Sequence, residues 1–322
     1  MKKKIAIIIF SYRRAIILNE VLKSIFKNFK QHSLPIHVIY HYDSEHHFSY
    51  QLLEKKWKKK GVIFYQREKM KIYSFFKFFL FHPWNFLWIL RWHDILKNFN
   101  NFKTLLEKIL FKTKEQFVTL VPDDQIFYKK TLVPSKALKI LLNDNNNYFY
   151  RFFTGDHFKN FNYLPKNLLV NWHKEKSNIF FEWNNNLKRI PNSPLWSYRF
   201  TIEGTVYNRK TLLNLISPLI YHNPITLEAI GLWESRFRNF FKNGMSSKER
   251  TAAGYQINSV QKHVFHYNFN FCVNKLMRAY LRGYRLVINQ KDFDKNNFNI
   301  VPKNIFLKKE KKKKINYKNL IL

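Results

Sequence analysis

Two adjacent carboxylates, Asp123 and Asp124, follow a run of apolar and β-branched residues at 117–121. Carboxylates at the end of a buried strand are costly unless a cation meets them. Acidic side chains are scarce in this chain, which has 57 Lys+Arg and 21 Asp+Glu. One explanation is Mg2+ or Mn2+ carrying a nucleotide diphosphate, because these cations take carboxylate and phosphate oxygens. The alternative is a polar turn in which one Asp caps the following segment.

The segments around this pair alternate between two patterns. Apolar, β-branched runs predict four strands, at 5–10, 36–40, 62–65 and 117–121. Apolar residues at helical spacing predict two helices between them, at 15–30 and 51–60. This alternation is typical of an α/β fold with a mainly parallel sheet and right-handed crossovers.

Polar side chains follow three of these strands. Ser11, Tyr12 and Arg13 follow the first strand, Asp43 follows the second, and the Asp pair follows the fourth. Ligands of open α/β sheets bind at the carboxyl ends of the strands. We therefore expect these side chains to converge on one ligand-binding edge, where Arg13 and Arg14 are placed to meet a phosphate.

The rest of the chain is less regular. A mostly helical insertion rich in Phe and Trp is predicted at 69–114, and further strands at 148–153 and 199–207. Between those strands, 158–194 is aperiodic and is interpreted as a loop region. Helices are predicted at 209–216, from about 224, and at 270–280. The Lys-rich segment 308–314 has little to bury, so we expect it to be solvated and loosely ordered.

Composition limits the class of protein. The 322 residues are 46% hydrophobic, enough for a full core, and we expect an α/β domain at 1–235 with a helical extension and Lys-rich tail at 236–322. The net charge of +36 favours anionic partners such as nucleotides, an anionic membrane surface or nucleic acid. The single cysteine, Cys272, excludes an internal disulfide and fits a reducing compartment.

Two apolar segments bear on localisation. The run at 5–10 is short for a signal peptide and is better explained as a buried strand. The segment 74–90 contains Lys77, His82 and Pro83, which favours an interfacial or core helix pair over a membrane span. The aromatic and basic stretch 69–97 either lies on an anionic membrane or packs as a helix pair. We therefore expect a cytoplasmic protein, with peripheral membrane attachment as the open alternative.

Three segments together resemble nucleotide-sugar-dependent glycosyltransferases of the GT-A fold, similar to family 2. They are 5–14, 38–43 and 121–124, and the resemblance covers about the first 230 residues in outline. It implies that the nucleotide is contacted by Ser11, Tyr12, Arg13, Asp43 and Asp123. It also implies a DxD-type metal motif at Asp123 and Asp124, completed in some members by a C-terminal His, here His266. Pro122 and Gln125 depart from the full motif.

The same resemblance implies the reaction. A sugar would pass from a nucleotide diphosphate sugar to the hydroxyl of a glycan or glycolipid acceptor, with inversion at the anomeric carbon, in surface polysaccharide or lipooligosaccharide synthesis. Inverting members need a general base. By position Glu228, at the start of the helix from about 224, is the first candidate, and Asp156, next to Gly155, is the second. A Glu that only favours the helix dipole is the alternative for Glu228.

Two other classes of protein share some of these features. A nucleotidyltransferase would use a similar nucleotide fold and metal, but it needs a Gly-rich, Lys-bearing N-terminal loop, which the sequence lacks. A non-enzymatic nucleic-acid-binding protein would exploit the charge of +36 and the abundant aromatic residues. Buried-type strands that end in acids disfavour the second class, because carboxylates repel phosphates unless a metal is present.

Overall fold

The structure is a computed structural model. It describes residues 4–69, 100–154, 170–175, 178–184, 194–257, 271–288, 293, 299–300 and 306–310. Asp156, His266 and the apolar segment 74–90 lie outside these ranges. Within them, no helix combines the length and the apolar character that a membrane crossing requires.

The strands and helices have the following bounds. The strands are β1 Ile5–Tyr12, β2 Ile36–His41, β3 Val62–Gln66, β4 Phe117–Pro122, β5 Gln125–Phe127, β6 Tyr148–Arg151, β7 Val170–Glu175, β8 Asn178–Asn184, β9 Thr205–Asn208, β10 Asn243–Ser247, β11 Ala252–Tyr255, β12 Tyr284–Val287, β13 Asn299–Ile300 and β14 Phe306–Lys309. The α-helices are α1 Ala15–Asn28, α2 His47–Lys58, α3 Phe102–Lys112, α4 Ser135–Asn143, α5 Pro194–Ser197, α6 Arg209–Ile216, α7 Pro224–Phe237 and α8 Val273–Leu281.

A nine-stranded sheet in the order β3-β2-β1-β4-β9-β6-β10-β8-β7 forms the centre of the described fold. The pairs among β3, β2, β1 and β4 are parallel, whereas β9 is antiparallel to both β4 and β6. Strand β10 is parallel to β6, and β8 is antiparallel to both β10 and β7. Among these nine strands, only β9 and β8 therefore run against the common direction. This mainly parallel sheet flanked by helices confirms the GT-A-like α/β fold.

The central strand β1 has both faces buried. Ile5, Ile7 and Ile9 pack in a cluster with α1, while Ile8 and Phe10 pack in a second cluster with α3. Alternate residues of a strand point to opposite faces, so a strand covered on both sides must be apolar throughout. Each of these buried Ile side chains contributes roughly 2 kcal/mol. The run at 5–10 is thus a core strand, as the sequence predicts.

Local signals set the helices near the edge of the sheet. Asn208 caps α6 by accepting hydrogen bonds from the backbone N–H groups of Lys210 and Thr211. Asn223 and Thr226 form a reciprocal capping box at the start of α7, where Pro224 is the first helical residue. The predicted helices at 209–216 and from about 224 are therefore confirmed.

Other expectations differ from the structure. The loop interpretation of 158–194 is wrong for the part described, because β7 and β8 form an antiparallel hairpin. The strand predicted at 199–207 begins only at Thr205. The helical extension expected at 236–322 also contains strands. Strand β10 lies inside the main sheet, β11 pairs with β5, and α8 is the helix within the described part of this region. Residues 306–309, which overlap the Lys-rich segment expected to be loosely ordered, form β14 against β12. For β8, which pairs with β10, and β11, which pairs with β5, long-range pairing overrides a weak local pattern.

Candidate functional site

One edge of the main sheet collects the predicted site residues. The carboxyl ends of β1, β2 and β4 meet there because these strands are parallel and adjacent in the order β2-β1-β4. The antiparallel strand β9 begins at the same edge, since Leu120 pairs with Thr205. Strand β6 ends there too, with Arg151 opposite Thr205. The edge therefore joins segments that are far apart in the chain.

The Asp pair is tied to the end of β1. One carboxylate oxygen of Asp123 accepts hydrogen bonds from the Ser11 hydroxyl at 2.7 Å and the Tyr12 backbone N–H at 3.0 Å. Its other oxygen lies 3.1 Å from Arg14 Nη1, and the same nitrogen lies 2.7 Å from Asp124 Oδ2. All three charged side chains are largely buried, with exposed fractions of 10% for Arg14, 7% for Asp123 and 17% for Asp124. Arg14 is thus the cation that meets the two carboxylates.

Burial and charge oppose each other in this cluster. Burial raises the pKa of Asp123 to about 6, against the opposing effects of Arg14 and of the hydrogen bonds from Ser11 and Tyr12. Burial alone would lower the pKa of Arg14, but the charges of Asp123 and Asp124 raise it above its usual value. Arg14 therefore stays charged, and it offsets part of the cost of burying the acids.

The end of β2 forms a second polar group on this edge. Arg13 Nη2 lies 2.6 Å from Asp43 Oδ2, and His46 Nδ1 lies 2.5 Å from the other oxygen of Asp43. Burial would raise the pKa of Asp43, but the hydrogen bond to His46 and the charges of His46 and Arg13 hold it below its usual value. The Tyr12 ring stacks on His41 at 5.5 Å between centroids. Aromatic faces beside an ionised carboxylate are suited to a nucleoside, whose base stacks and whose ribose hydroxyls donate hydrogen bonds.

Arg13 itself adopts a strained backbone. Its φ is +58°, a left-handed conformation that is uncommon for a residue with a Cβ, and its backbone N–H donates to the His41 carbonyl at 3.2 Å. Such conformations persist where surrounding contacts hold them and are common at ligand sites. The turn carries the chain from β1 into α1 and directs Arg13 and Arg14 to different carboxylates.

The predicted metal motif does not fit a divalent cation in this arrangement. Both oxygens of Asp123 and one oxygen of Asp124 accept hydrogen bonds from protein donors. A divalent cation bound between these carboxylates would have to displace Arg14 Nη1, which lies 3.1 Å from Asp123 Oδ1 and 2.7 Å from Asp124 Oδ2. Across the described ranges no group of three or more His, Cys, Asp or Glu could hold a metal ion. Metal binding stays a prediction, since His266 lies outside those ranges.

A second pair of acids, Glu203 and Glu228, approaches the same edge. Glu228 Oε1 accepts the backbone N–H of Ile202 at 3.2 Å, which ties α7 to the loop before β9. Glu228 is the fifth residue of α7, so it lies in the second turn and not at the helix start as predicted. Burial raises its pKa, against hydrogen bonds from Thr201 and Ile202 and the charge of Arg151. A Glu that only complements the helix dipole would lie in the first turn, so this alternative is disfavoured.

Glu203 is held next to the Asp pair by a tight turn. Gly204 has a φ of +54°, and its N–H donates to the Leu120 carbonyl at 2.8 Å. A Cβ on Gly204 would lie 2.6 Å from the Gln125 side chain, so only glycine fits. Burial raises the pKa of Glu203 to about 8, and the charges of Glu228 and Asp124 add to this effect. Like charges in close proximity thus favour retention of a proton by the pair at neutral pH.

Two arginines on the edge have no counterpart among the predicted site residues. Arg151 is fully buried at the end of β6, and its interactions with Glu203 and Glu228 oppose the burial that lowers its pKa to about 10. Arg67 follows β3 and donates to the His222 carbonyl at 3.1 Å, just before α7. The sequence places Arg67 two residues after the predicted strand 62–65 but Arg151 inside the predicted strand 148–153, so only Arg67 had a place after a strand as its signal. For Glu203, the only sequence signal of a functional role is the glycine that follows it.

Glu203 gives a prediction for stability. Between about pH 4.5 and 8 the folded protein holds a proton on Glu203 that the unfolded chain has released, so stability falls as pH rises through this window. Glu203→Gln removes this loss. Allowing for partial exposure, we expect the variant to gain about 2 kcal/mol more at pH 8 than at pH 5, or roughly 4 °C in Tm. Differential scanning calorimetry at both pH values measures this.

The control for this prediction is Glu249→Gln, because the Glu249 side chain is 72% exposed. We expect its Tm to follow wild type at both pH values. An equal change in Tm at pH 5 and pH 8 for Glu203→Gln would show that Glu203 titrates normally in the folded protein.

The chain was compared with family models, curated proteins and solved structures. No family model matches the chain, and no curated protein matches it. Among solved structures, the chain is similar to S. aureus TarS 1-349, with 13% identity, a TM-score of 0.39, and coverage of 76% of this chain and 57% of that one. For TarS 1-349 in complex with UDP, the identity is 14%, the TM-score is 0.39, and the match covers 76% of this chain and 57% of that one. For the complex with UDP-GlcNAc, the identity is 12%, the TM-score is 0.39, and the match covers 87% of this chain and 72% of that one. The chain therefore spans 57% of the length of the first two structures.

Proposed function

We propose that this chain is a glycosyltransferase that moves a sugar from a nucleotide diphosphate sugar to an acceptor hydroxyl. The observation that carries the proposal is the placement of two acidic pairs on one edge of a GT-A-like sheet. Asp123 and Asp124 are bound to Arg14, and Glu203 interacts electrostatically with both Asp124 and Glu228. Perturbed acids gathered at the carboxyl ends of parallel strands are typical of catalytic sites.

Each part of the edge has a role in this proposal. The nucleoside lies against Tyr12 and His41, with Asp43 accepting hydrogen bonds from ribose hydroxyls. Arginine guanidinium groups meet phosphate oxygens well, so the diphosphate lies towards Arg14. The sugar then extends towards Glu203 and Glu228. This order follows the strand order of the sheet from β2 through β1 and β4 to β9.

Glu228 is the proposed base. It takes the proton of the acceptor hydroxyl, whose oxygen attacks the anomeric carbon, and the nucleoside diphosphate leaves with the electron pair of the broken bond. Burial raises the pKa of Glu228, which makes its carboxylate a stronger base than an ordinary Glu. A single displacement of this kind inverts the anomeric carbon. Asp156 remains the second candidate, outside the described ranges.

The cellular role follows from the same proposal. The acceptor is a glycan or glycolipid in surface polysaccharide or lipooligosaccharide synthesis. The net charge of +36 would favour work on the inner, anionic face of a membrane.

Thermal-shift measurements against a panel of nucleotides test the proposal. The panel contains UDP, GDP, CMP and UDP-GlcNAc, each with and without Mn2+. We expect at least one nucleotide to raise the Tm, because a ligand at about 100 times its Kd stabilises the folded state by about 2.7 kcal/mol. AMP and inorganic phosphate are the controls for unspecific anion binding to a basic protein. If no member of the panel stabilises the protein beyond these controls, the proposal is rejected.

A further inference from the structure

We propose that Arg14 is the resident cation of this site, so that a nucleoside diphosphate binds without a divalent metal. In this arrangement the two acids position an arginine, and the arginine meets the diphosphate as a metal would. The inference rests on the proposed function and adds to it the source of positive charge. It starts from Arg14 Nη1, which lies 3.1 Å from Asp123 and 2.7 Å from Asp124.

The backbone of Arg14 is held as firmly as its side chain. Its N–H donates to the Tyr50 hydroxyl at 3.2 Å, and its carbonyl accepts from the N–H groups of Ile17 and Leu18 in the first turn of α1. The Tyr50 hydroxyl lies 2.7 Å from Ser11 Oγ, which itself donates to Asp123. The loop of hydrogen bonds from Ser11 through Asp123, Arg14 and Tyr50 is therefore closed.

A closed network of this kind fixes the position of a charge. A metal-binding carboxylate must leave oxygens open towards the ligand, whereas Asp123 has both oxygens engaged. Asp124 is more open, with an exposed fraction of 17% and one carboxylate oxygen that accepts nothing among the described contacts. Asp124 is thus the most exposed charged side chain of the cluster, and Arg14 is bound directly to it. A guanidinium carries five N–H donors in a fork, so contact with carboxylates through Nη1 is compatible with contact to a phosphate.

The motif's departures from a full acidic signature fit this inference. Pro122 and Gln125 flank the pair where further acids would strengthen a metal site. Gln125 is buried and packs against Gly204. Arg14 offsets one of the two carboxylate charges, so the cluster repels a diphosphate less than a site with more acids and no arginine would.

Isothermal titration of the wild-type protein tests the inference directly. UDP, or whichever nucleoside diphosphate of the panel stabilises the protein, is titrated in excess EDTA and in millimolar MnCl2. We expect the two Kd values to agree within about threefold, a difference below 1 kcal/mol. Mn2+ alone, followed by electron paramagnetic resonance, is expected to stay free in solution in the presence of the wild-type protein.

Substitution of Arg14 tests whether its charge is needed for nucleotide binding without a metal. Arg14→Met keeps the length of the side chain and removes its charge. We expect nucleotide affinity in EDTA to fall by about 30-fold or more, the usual effect of removing a charged hydrogen-bond partner. The vacated carboxylates should then bind Mn2+, which restores part of the affinity. Arg278→Met, on the exposed last turn of α8, is the matched control and should bind as wild type does.

The outcomes separate this inference from the function on which it rests. If wild type binds the nucleotide only with Mn2+, the inference is overturned while the proposed function stands. If Arg14→Met binds in EDTA as well as wild type does, Arg14 is not the cation and the inference is again overturned. If no nucleotide binds under either condition, the proposed function itself fails. Should Arg14→Met not fold, the comparison of EDTA with MnCl2 on wild type still decides.

Discussion

Replacing Glu228 by glutamine is expected to lower kcat by about 10³-fold while leaving nucleotide affinity unchanged, because a general base contributes about 10²- to 10⁴-fold. Glutamine keeps the length of the side chain and an oxygen that can accept the Ile202 N–H, the contact that ties α7 to the loop before β9. It loses only the ability to take a proton. The rate is measured as release of nucleoside diphosphate from the nucleotide sugar that wild type uses.

Two further variants locate the base. Glu234→Gln lies six residues further along α7, where Glu234 pairs with Arg238, and should keep wild-type activity. Glu203→Gln removes the neighbouring acid. If Glu228→Gln stays active and Glu203→Gln does not, the base is Glu203 and Glu228 only positions the loop. Loss of nucleotide binding in Glu228→Gln would instead assign Glu228 to structure.

The pH dependence of the wild-type rate gives an independent check on the acid pair. Burial raises the pKa of both acids, and that of Glu203 to about 8. A base must be deprotonated, so kcat should still rise with pH above the range in which an ordinary Glu titrates. A profile that is already flat from pH 5 would contradict a base in this pair.

The second large effect is expected at Asp123, where we predict that Asp123→Asn costs about 3 kcal/mol of stability. An amide has one oxygen and one NH2 group, but both oxygens of Asp123 face donors. An NH2 group at one position meets the Arg14 guanidinium, and at the other it meets the Tyr12 backbone N–H. Either orientation leaves a buried donor unpaired and weakens the hold on a buried cation.

Calorimetry measures this as a fall in Tm of roughly 6 °C, since about 1 kcal/mol corresponds to about 2 °C in a chain of this size. Nucleotide binding should fall as well, because Arg14 loses one of its two carboxylates. Asp144→Asn is the matched control, since Asp144 is exposed in a turn and its oxygen is needed only by Asn147. A Tm equal to wild type in Asp123→Asn would mean that the cluster of Ser11, Tyr12 and Arg14 does not depend on a charged partner.

Strands β1 to β4 and helix α1 follow from the sequence because their signals are local. The continuous apolar runs at β1 and β4 and the helical spacing at α1 survive in the structure within two residues. Strands β8 and β9 are not set by a local pattern alone, because they pair with distant parts of the chain, β8 with β10 and β9 with β4. Their sequences are short, polar or interrupted, and only pairing makes them strands.

The residues of the candidate site follow from the sequence only in part, as the strands and helices do. The sequence by itself determined which side chains follow the strands, since parallel strands must bring Ser11, Asp43 and the Asp pair to one edge. It did not determine their partners. Only the tertiary structure decided that Arg14, 109 residues from Asp123, lies between the two carboxylates, and that Glu203 and Glu228 come together beside them. The physical reason is that a strand pattern is local, whereas the partner of a buried charge depends on which distant segment the fold brings within hydrogen-bonding distance.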